Sequence, residues 1–397
     1  MKLLKYISRA CNNFVIVKKL CLDKDVQKIF LLFIFWKFFL ILVSFLSLKF
    51  LALRGKDFFG GGFEAYIKTP LFYGWANFDG EHYLSIAQVG YRSLEQAFFP
   101  VYPILINFFA KPFGGTMENL VVSGLLISNV SFLAALIVLF KLIILDYPKK
   151  IAYFTVLLLL LFPTSFYFGA LYSESLFLLL TVASFYLIRK GYWFFASLLG
   201  VFSSATRIFG VLLVPAFLLE ASEKKLKVNK FVFTFLIPTG LLAYMYYQWI
   251  NYGDPLAFYH LQKIVGPQHE SGITLLPQIY YRYIKMMLTT PFSNPIYSTI
   301  ILEFIVGILF FILPILGFLR KMKASYLFYA FAGFILPTIQ GSFSSVPRYV
   351  IVLFPAFLIM SILLESFKKP VKIAILFLSG ICLIIETALF FRGYWVA

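Results

Sequence analysis

The sequence predicts an all-α protein, a polytopic transmembrane bundle of about eleven helices with a further helix lying in the membrane interface. Three observations carry this. Of the 397 residues, 61% are hydrophobic, 20% aromatic and only 13% charged, about half the charge of an ordinary soluble domain. Apolar runs far exceed the length of a core helix, so one soluble core cannot bury them and the solvent must largely be lipid. The net charge of +18 sits in short clusters between those runs, as it does when cytoplasmic connections retain Lys and Arg. The charge therefore reports topology and implies no nucleic-acid partner.

The segment before Ile29 carries Lys2, Lys5, Arg9, Lys18, Lys19, Lys24 and Lys28 against only Asp23 and Asp25. The N-terminus is accordingly expected in the cytoplasm, with the first helix, Ile29 to Leu53, running outward. That run is too long for the apolar region of a cleaved signal peptide and lacks a small-residue cleavage site, so it reads as a signal anchor. Residues 54–96 then form the first external loop, and loops of this length usually carry function. From Glu81 onward, Leu84, Ile86, Ala87 and Tyr91 fall near one helical face, as in a helix lying in the interface. The apolar run from Phe98 to Phe113 fits either a spanning or a re-entrant segment.

Three basic connections follow, Lys149-Lys150, Arg189-Lys190 and the run Glu223 to Lys230, and all belong on the cytoplasmic side. One helix rises from the first to Tyr172-Ser173-Glu174 and one descends to the second. Only about 28 residues, Trp193 to Glu220, separate the second from the third. A single helix there would place the third cluster outside. Two half-helices meeting near Thr206-Arg207 would each cover roughly 20 Å of a ~30 Å hydrocarbon core. Such half-helices are tolerated where they line a protein-enclosed cavity, and the charge rule favours them here. Farther on, Arg320-Lys321-Lys323 and Lys368-Lys369-Lys372 are cytoplasmic. Residues 341–348, the long loop 251–296 and residues 392–397 then fall outside. There is no internal repeat or low-complexity segment, so residues 1–397 read as a single membrane domain.

Cys11, Cys21 and Cys382 form no C-x-x-C pair, and their odd number argues against a disulfide framework. His82, His260 and His269 show no zinc spacing.

Polar residues concentrate at the predicted outer helix ends. Asp79, one of six aspartates in the chain, opens the interfacial helix, where a carboxylate commonly caps backbone N–H groups. Glu174 lies between two very apolar helices and Arg207 is flanked by apolar residues. An ionisable group in such a place is a functional-site hypothesis by default. Arg348 follows Pro347 at a helix start, where proline is unremarkable. Packing ion pairs would account for each group singly, whereas one polar cavity accounts for all four on one side. A carboxylate among arginines suits transfer from a phosphate-linked donor. The carboxylate takes the acceptor's proton, guanidinium groups hold the departing phosphate, and the sugar passes through an oxocarbenium-like state.

The run Phe78-Asp79-Gly80-Glu81-His82-Tyr83, with Ile86-Ala87, Gly90-Tyr91 and Phe98-Phe99-Pro100-Val101-Tyr102-Pro103, resembles the first-loop signature of the PIG-V-like mannosyltransferases. Those are polytopic enzymes of the GT-C glycosyltransferase class. Pro163-Thr164-Ser165-Phe166 with Tyr172-Ser173-Glu174-Ser175-Leu176-Phe177 resembles a second block, and Thr206-Arg207-Ile208-Phe209-Gly210 a third. Gly253-Asp254-Pro255-Leu256-Ala257-Phe258, Ser345-Val346-Pro347-Arg348-Tyr349 and Gly393-Tyr394-Trp395-Val396-Ala397 complete the set. Each motif is short, but six in order cover most of the chain. One departure is Phe78, where the family usually carries Trp; the aromatic character is kept.

The resemblance implies a GT-C-like fold and an inverting hexosyltransferase that moves mannose from a polyprenyl- or dolichyl-phosphate carrier to a hydroxyl of a glycolipid or glycan. Asp79 takes the position of the catalytic base, oriented by His82 or Glu81. Arg207 and Arg348 hold the phosphate, Glu174 binds sugar or positions Arg207, and Tyr172 and Tyr349 line the site. The active site is expected on the external or luminal face, of the plasma membrane in a prokaryote or of the endoplasmic reticulum in a eukaryote. No cofactor is required on this reading. GT-C enzymes sometimes hold a divalent cation through a D-x-E pair such as Asp79 and Glu81, but positions i and i+2 of a helix do not face each other.

The rival readings are weaker. A lipid-glycan transporter or flippase often shows internal repeats and polar residues at the bilayer midplane. An acyltransferase asks for a buried histidine with a partner, and His82 is the one candidate. A purely structural membrane protein leaves the long first loop unexplained.

Overall fold

A computed structural model describes residues 23–261, 274–294 and 296–396. The basic residues through Lys19, Cys11, Cys21 and His269 lie outside the described residues, so the sequence readings placed on them stand without a structural counterpart. The described chain is a helical bundle.

Helix α1 (Lys24–Phe50) is capped by the Asp23 side chain and buries Ile29, Phe33, Trp36, Leu40 and Val43 at spacings of three and four, so one stripe meets protein and the rest meets lipid. The first loop holds α2 (Asp79–Val89), and α3 (Val101–Ala110) follows it. With ten residues, α3 is about 15 Å long and does not span a bilayer core; it packs one face on the bundle through Tyr102, Ile106 and Ala110 and leaves Ile104, Phe108 and Phe109 exposed. Next come α4 (Met117–Ile143), α5 (Lys149–Leu161) and α6 (Glu174–Arg189).

The segment after Arg189 is broken as the charge rule requires. Helix α7 (Trp193–Thr206) stops at Arg207, whose backbone is extended at φ −157° and ψ 146°, and α8 (Leu213–Glu223) returns. The remaining helices are α9 (Thr239–Tyr252), the amphipathic α10 (Leu276–Thr289), α11 (Ile296–Leu319), α12 (Ala324–Thr338), α13 (Phe354–Glu365) and α14 (Lys369–Phe391). Five segments are long and apolar enough to cross a membrane: α1, α4, Val228–Tyr252, α11 and α14. A sixth, Val346–Val352 with α13, is bent by 84°. α7 and α12 are shorter apolar helices.

Ion pairs define one end. Lys149 meets Asp25 at 2.5 Å, Lys150 meets Glu365 at 2.6 Å, and Arg189 forks onto Asp146 with two bonds of 2.6 Å. The fully buried Glu220 binds Lys224 at 3.0 Å and accepts from the Ser325 hydroxyl at 3.0 Å. The predicted basic connections on α5, α6, α8 and α14 therefore share this end. The opposite end is built from the sequence blocks singled out above. Thr164 donates to the Pro347 carbonyl, Tyr167 to that of Val396, and Tyr172 to that of Asn77. The Asn77 amide in turn donates to the Phe390 carbonyl. Close helix approach is set by small residues. A Cβ on Gly240 of α9 would lie 2.0 Å from the Val201 carbonyl oxygen of α7.

Candidate active site

Both strands of the site begin at strained backbone. Phe78 has φ 56° and ψ −119°, and Ser345 has φ 61°, a region that non-glycine residues enter only when their surroundings impose it. Phe78 is held there by its N–H bond to the Phe58 carbonyl (2.7 Å) and by ring contacts with Phe58, Phe390 and Trp395. Ser345 is held by Glu303 of α11, which accepts its N–H at 3.1 Å. The first strained residue delivers Asp79, and the second begins the turn that carries Arg348.

Asp79 is the first residue of α2, but its side chain caps no backbone N–H. Phe78 takes the cap position without a side-chain bond. The Asp79 carboxylate instead accepts a hydrogen bond from Arg348 at 2.5 Å. The Arg348 Nε lies 3.8 Å from Glu174, and Glu174 accepts from Arg207 at 2.6 Å. Two carboxylates and two guanidinium groups thus alternate in a chain of zero net charge. Glu174 is buried, with 1% of its surface exposed, and its second carboxylate oxygen has no hydrogen-bond partner among the described residues; nor has Arg348 Nε. Unsatisfied buried polar atoms are rare and call for an explanation.

Aromatic rings wrap the cations. The Arg348 guanidinium sits 5.1 Å from the Tyr349 ring, 5.6 Å from Tyr167 and 5.7 Å from Tyr172. Arg207 sits 5.6 Å from Tyr349 and 5.8 Å from Phe209. Such contacts keep a guanidinium in place without neutralising it.

Asp79, Arg207, Arg348 and Tyr349 open onto one cavity of about 250 Å³. Glu174 and Tyr172 stand behind the arginines and do not line it. Glu81 and His82 sit to one side. The His82 imidazole faces Glu95 at 3.8 Å and stacks on Phe98, and Asp79 takes its hydrogen bond from Arg348. Burial lowers the His82 pKa, but the carboxylates of Glu95, Asp79 and Glu81 outweigh it and raise the imidazole above its ordinary value. Burial raises the Glu81 carboxyl, and the nearby Asp57 and Glu95 add to this. Among the described residues no three His, Cys, Asp or Glu side chains gather as metal ligands.

Several contributors went unrecognised in the sequence. Trp395, Tyr83, Phe98 and Tyr259 line the cavity, and Ser173 joins Tyr83 (2.9 Å) to Arg207 (3.3 Å). Tyr83, Phe98, Ser173 and Trp395 all lie in the motifs quoted above, but a motif does not say where its side chains point. The Gly253–Phe258 block is a turn. Asp254 accepts the Leu256 N–H at 2.9 Å, and the turn presents Phe258 to the cavity. Glu303 was legible, because a glutamate inside a long apolar helix is a functional-site hypothesis.

The sequence profile of a family described as mannosyltransferase (PIG-V) matches residues 29–253, more than half of the chain, and includes Asp79, Glu174 and Arg207. No curated protein sequence matches significantly. Among solved structures, ArnT from Cupriavidus metallidurans bound to undecaprenyl phosphate superposes with a TM-score of 0.50 at 15% identity, over 87% of this chain and 62% of that one. The Archaeoglobus fulgidus oligosaccharyltransferase in its apo form aligns with a TM-score of 0.46 at 13% identity, over 89% and 55% of the two chains. The chain thus spans less than two thirds of the length of either protein. The likeness to ArnT shows a common fold, that of the GT-C membrane glycosyltransferases.

Proposed function

The chain belongs to the PIG-V mannosyltransferase family, and we propose that it transfers mannose, with inversion, from a polyprenyl-phosphate carrier to a hydroxyl of a glycolipid or glycan. The observation that carries this reading is the chain Asp79–Arg348–Glu174–Arg207, with its first carboxylate and both arginines open to one cavity.

Without substrate, Asp79 is occupied by Arg348. An arriving donor phosphate offers Arg348 a second anionic partner, and bidentate guanidinium–phosphate bonds are strong enough to redirect it. Asp79 is then free to accept the proton of the acceptor hydroxyl as its oxygen bonds to the anomeric carbon. The bond from that carbon to the phosphate oxygen breaks, and its electron pair stays on the phosphate. The donor phosphodiester carries one negative charge and the released monophosphate up to two. Arg207 and Arg348 therefore meet more charge as the reaction proceeds, which stabilises the transition state over the ground state. Glu174 keeps the two arginines from repelling each other before the phosphate arrives.

Sidedness follows from charge. The end carrying the lysine and arginine clusters faces the cytoplasm, so the cavity faces outside or the lumen. Purified protein should move mannose from synthetic polyprenyl-phosphate mannose to one of a panel of lipid and glycan acceptors. Asp79→Asn should lower kcat by about 10²–10⁴-fold. Full activity in folded Asp79→Asn would remove the base. Absence of transfer by wild type, with lipid translocation in sealed vesicles, would establish a flippase instead.

A further inference from the structure

At the basic end of the bundle, away from the cavity, α1, α5 and α14 enclose a lateral groove of about 610 Å³. Its body is formed by the half-buried apolar side chains of Leu32, Phe154 and Leu157, and its mouth by Lys150, Lys372 and Glu365. The single carboxylate serves both ammonium groups. Lys150 reaches Glu365 at 2.6 Å, while Lys372 lies 3.6 Å from its other carboxylate oxygen and donates to its backbone carbonyl at 2.8 Å. Two cations thus share one anion. An ammonium has three donors, and Lys150, 72% exposed at its side chain, has donors left over.

The position of these lysines is electrostatically unfavourable in the protein alone. Lys150 lies in the first turn of α5 and Lys372 in the first turn of α14. The partial positive charge of a helix start favours anions and disfavours cations there. Lys28 adds a third cation beside the mouth, 5.6 Å from the Tyr153 ring, while Lys149 is already paired with Asp25. The mouth has a net positive charge, two helix N-termini and unused donors, and it sits above an apolar trough that faces lipid. An anion tethered to acyl chains satisfies all of these at once.

We propose that this groove is a binding site for an anionic phospholipid, its phosphate held by Lys150 and Lys372 and its acyl chains laid along Leu32, Phe154 and Leu157. Glu365 holds the two lysines at the mouth and weakens the attraction to a second anion. The site is separate from the sugar-transfer cavity and does not depend on that activity.

The test is native mass spectrometry of the detergent-purified full chain titrated with phosphatidylglycerol or with phosphatidylcholine of matched acyl chains. Phosphatidylglycerol should be retained in preference. A lysine near an anionic headgroup contributes about 1 kcal/mol, or roughly fivefold in affinity, so Lys150→Ala and Lys372→Ala should each lose about that factor and the double variant about 25-fold. Glu365→Gln should bind phosphatidylglycerol more tightly than wild type, a reversal that loss of packing would not produce. Equal retention of the two lipids, or retention unaltered in the double variant, would overturn the proposal. Binding of inorganic phosphate as tight as that of phosphatidylglycerol would also overturn it, since the acyl trough would then contribute nothing.

Discussion

Replacing Glu174 with glutamine removes one of the two negative charges in the four-residue chain while keeping an oxygen that can accept from Arg207. In the wild type the chain is neutral; in Glu174→Gln it is positive by one. A phosphate seated on Arg207 and Arg348 would lie on the order of 6 Å from the Glu174 carboxylate, given that both arginines contact that carboxylate. At an effective dielectric constant of about 20, that repulsion is roughly 3 kcal/mol. Its removal should tighten phosphate binding by one to two orders of magnitude, at 1.4 kcal/mol per tenfold. The polyprenyl-phosphate product carries more charge than the donor, so it gains more. The variant should bind product tightly and turn over slowly, with product release limiting kcat. Without ligand it should be less stable, because removing one partner of a buried pair costs roughly 3–5 kcal/mol. Ligand restores part of that loss by mass action. The assay is thermal unfolding with and without polyprenyl phosphate, alongside steady-state product inhibition. The expected result is a lower midpoint in the apo protein and a ligand-induced shift larger than that of wild type. A folded Glu174→Gln that binds polyprenyl phosphate no better than wild type would refute the placement of the phosphate on these two arginines.

Arg348→Lys and Arg207→Lys keep the charge but lose the planar fork; each should lower kcat/KM for the donor by about 10²–10³-fold, measured by initial rates with donor varied. His82 and Glu95 should give a pH-dependent contribution to stability. The raised His82 pKa makes its contribution complete below the unfolded value of about 6.5 and lost as pH rises through the folded value. Burial raises the Glu95 carboxyl, but the His82 and Ser85 side chains and the Arg92 N–H hold it below its ordinary value, so its share is lost only as pH falls through that lowered value. Thermal midpoints of wild type and His82→Phe should therefore differ most near pH 6 and converge toward pH 8.5; a pH-independent difference would exclude the pair. Gly240→Ala forces a Cβ against the Val201 carbonyl and should destabilise the α7–α9 contact by roughly 1–3 kcal/mol, read as a lowered thermal midpoint with the far-UV helix signal retained.

Composition and charge clusters made the bundle legible, and with it the gathering of the basic connections at one end, because lipid leaves few solutions to an apolar chain. The break at Arg207 was legible for the same reason, since 28 residues between two basic connections leave room for two short helices and not for two full ones. Asp79, Glu174, Arg207 and Arg348 stood out as ionisable groups in apolar or loop settings. Their pairing did not. Asp79 and Arg348 are 269 residues apart, and helical periodicity says nothing about which helix ends meet. The same gap explains why His82 and Glu81 looked like partners for Asp79. They are near it in sequence, but Glu81, two residues on, leaves α2 in another direction, and the His82 ring faces Glu95 and stacks on Phe98. The strained Phe78 and Ser345 had no sequence signal at all, since neither is a glycine.

The stop in α7 has a further consequence for chemical selectivity. Fourteen residues give α7 a length of about 21 Å, short of the ~30 Å that spans a hydrocarbon layer. Water is the most abundant hydroxyl in any cell and the natural competitor of every glycosyl acceptor. On the proposed reaction, the aromatic walls of Trp395, Phe98 and Tyr349 around the cavity would favour amphiphilic alcohols over water beside Asp79. On that reading, the apolar cavity walls would disfavour hydrolysis of the activated sugar before any residue has to discriminate one hydroxyl from another.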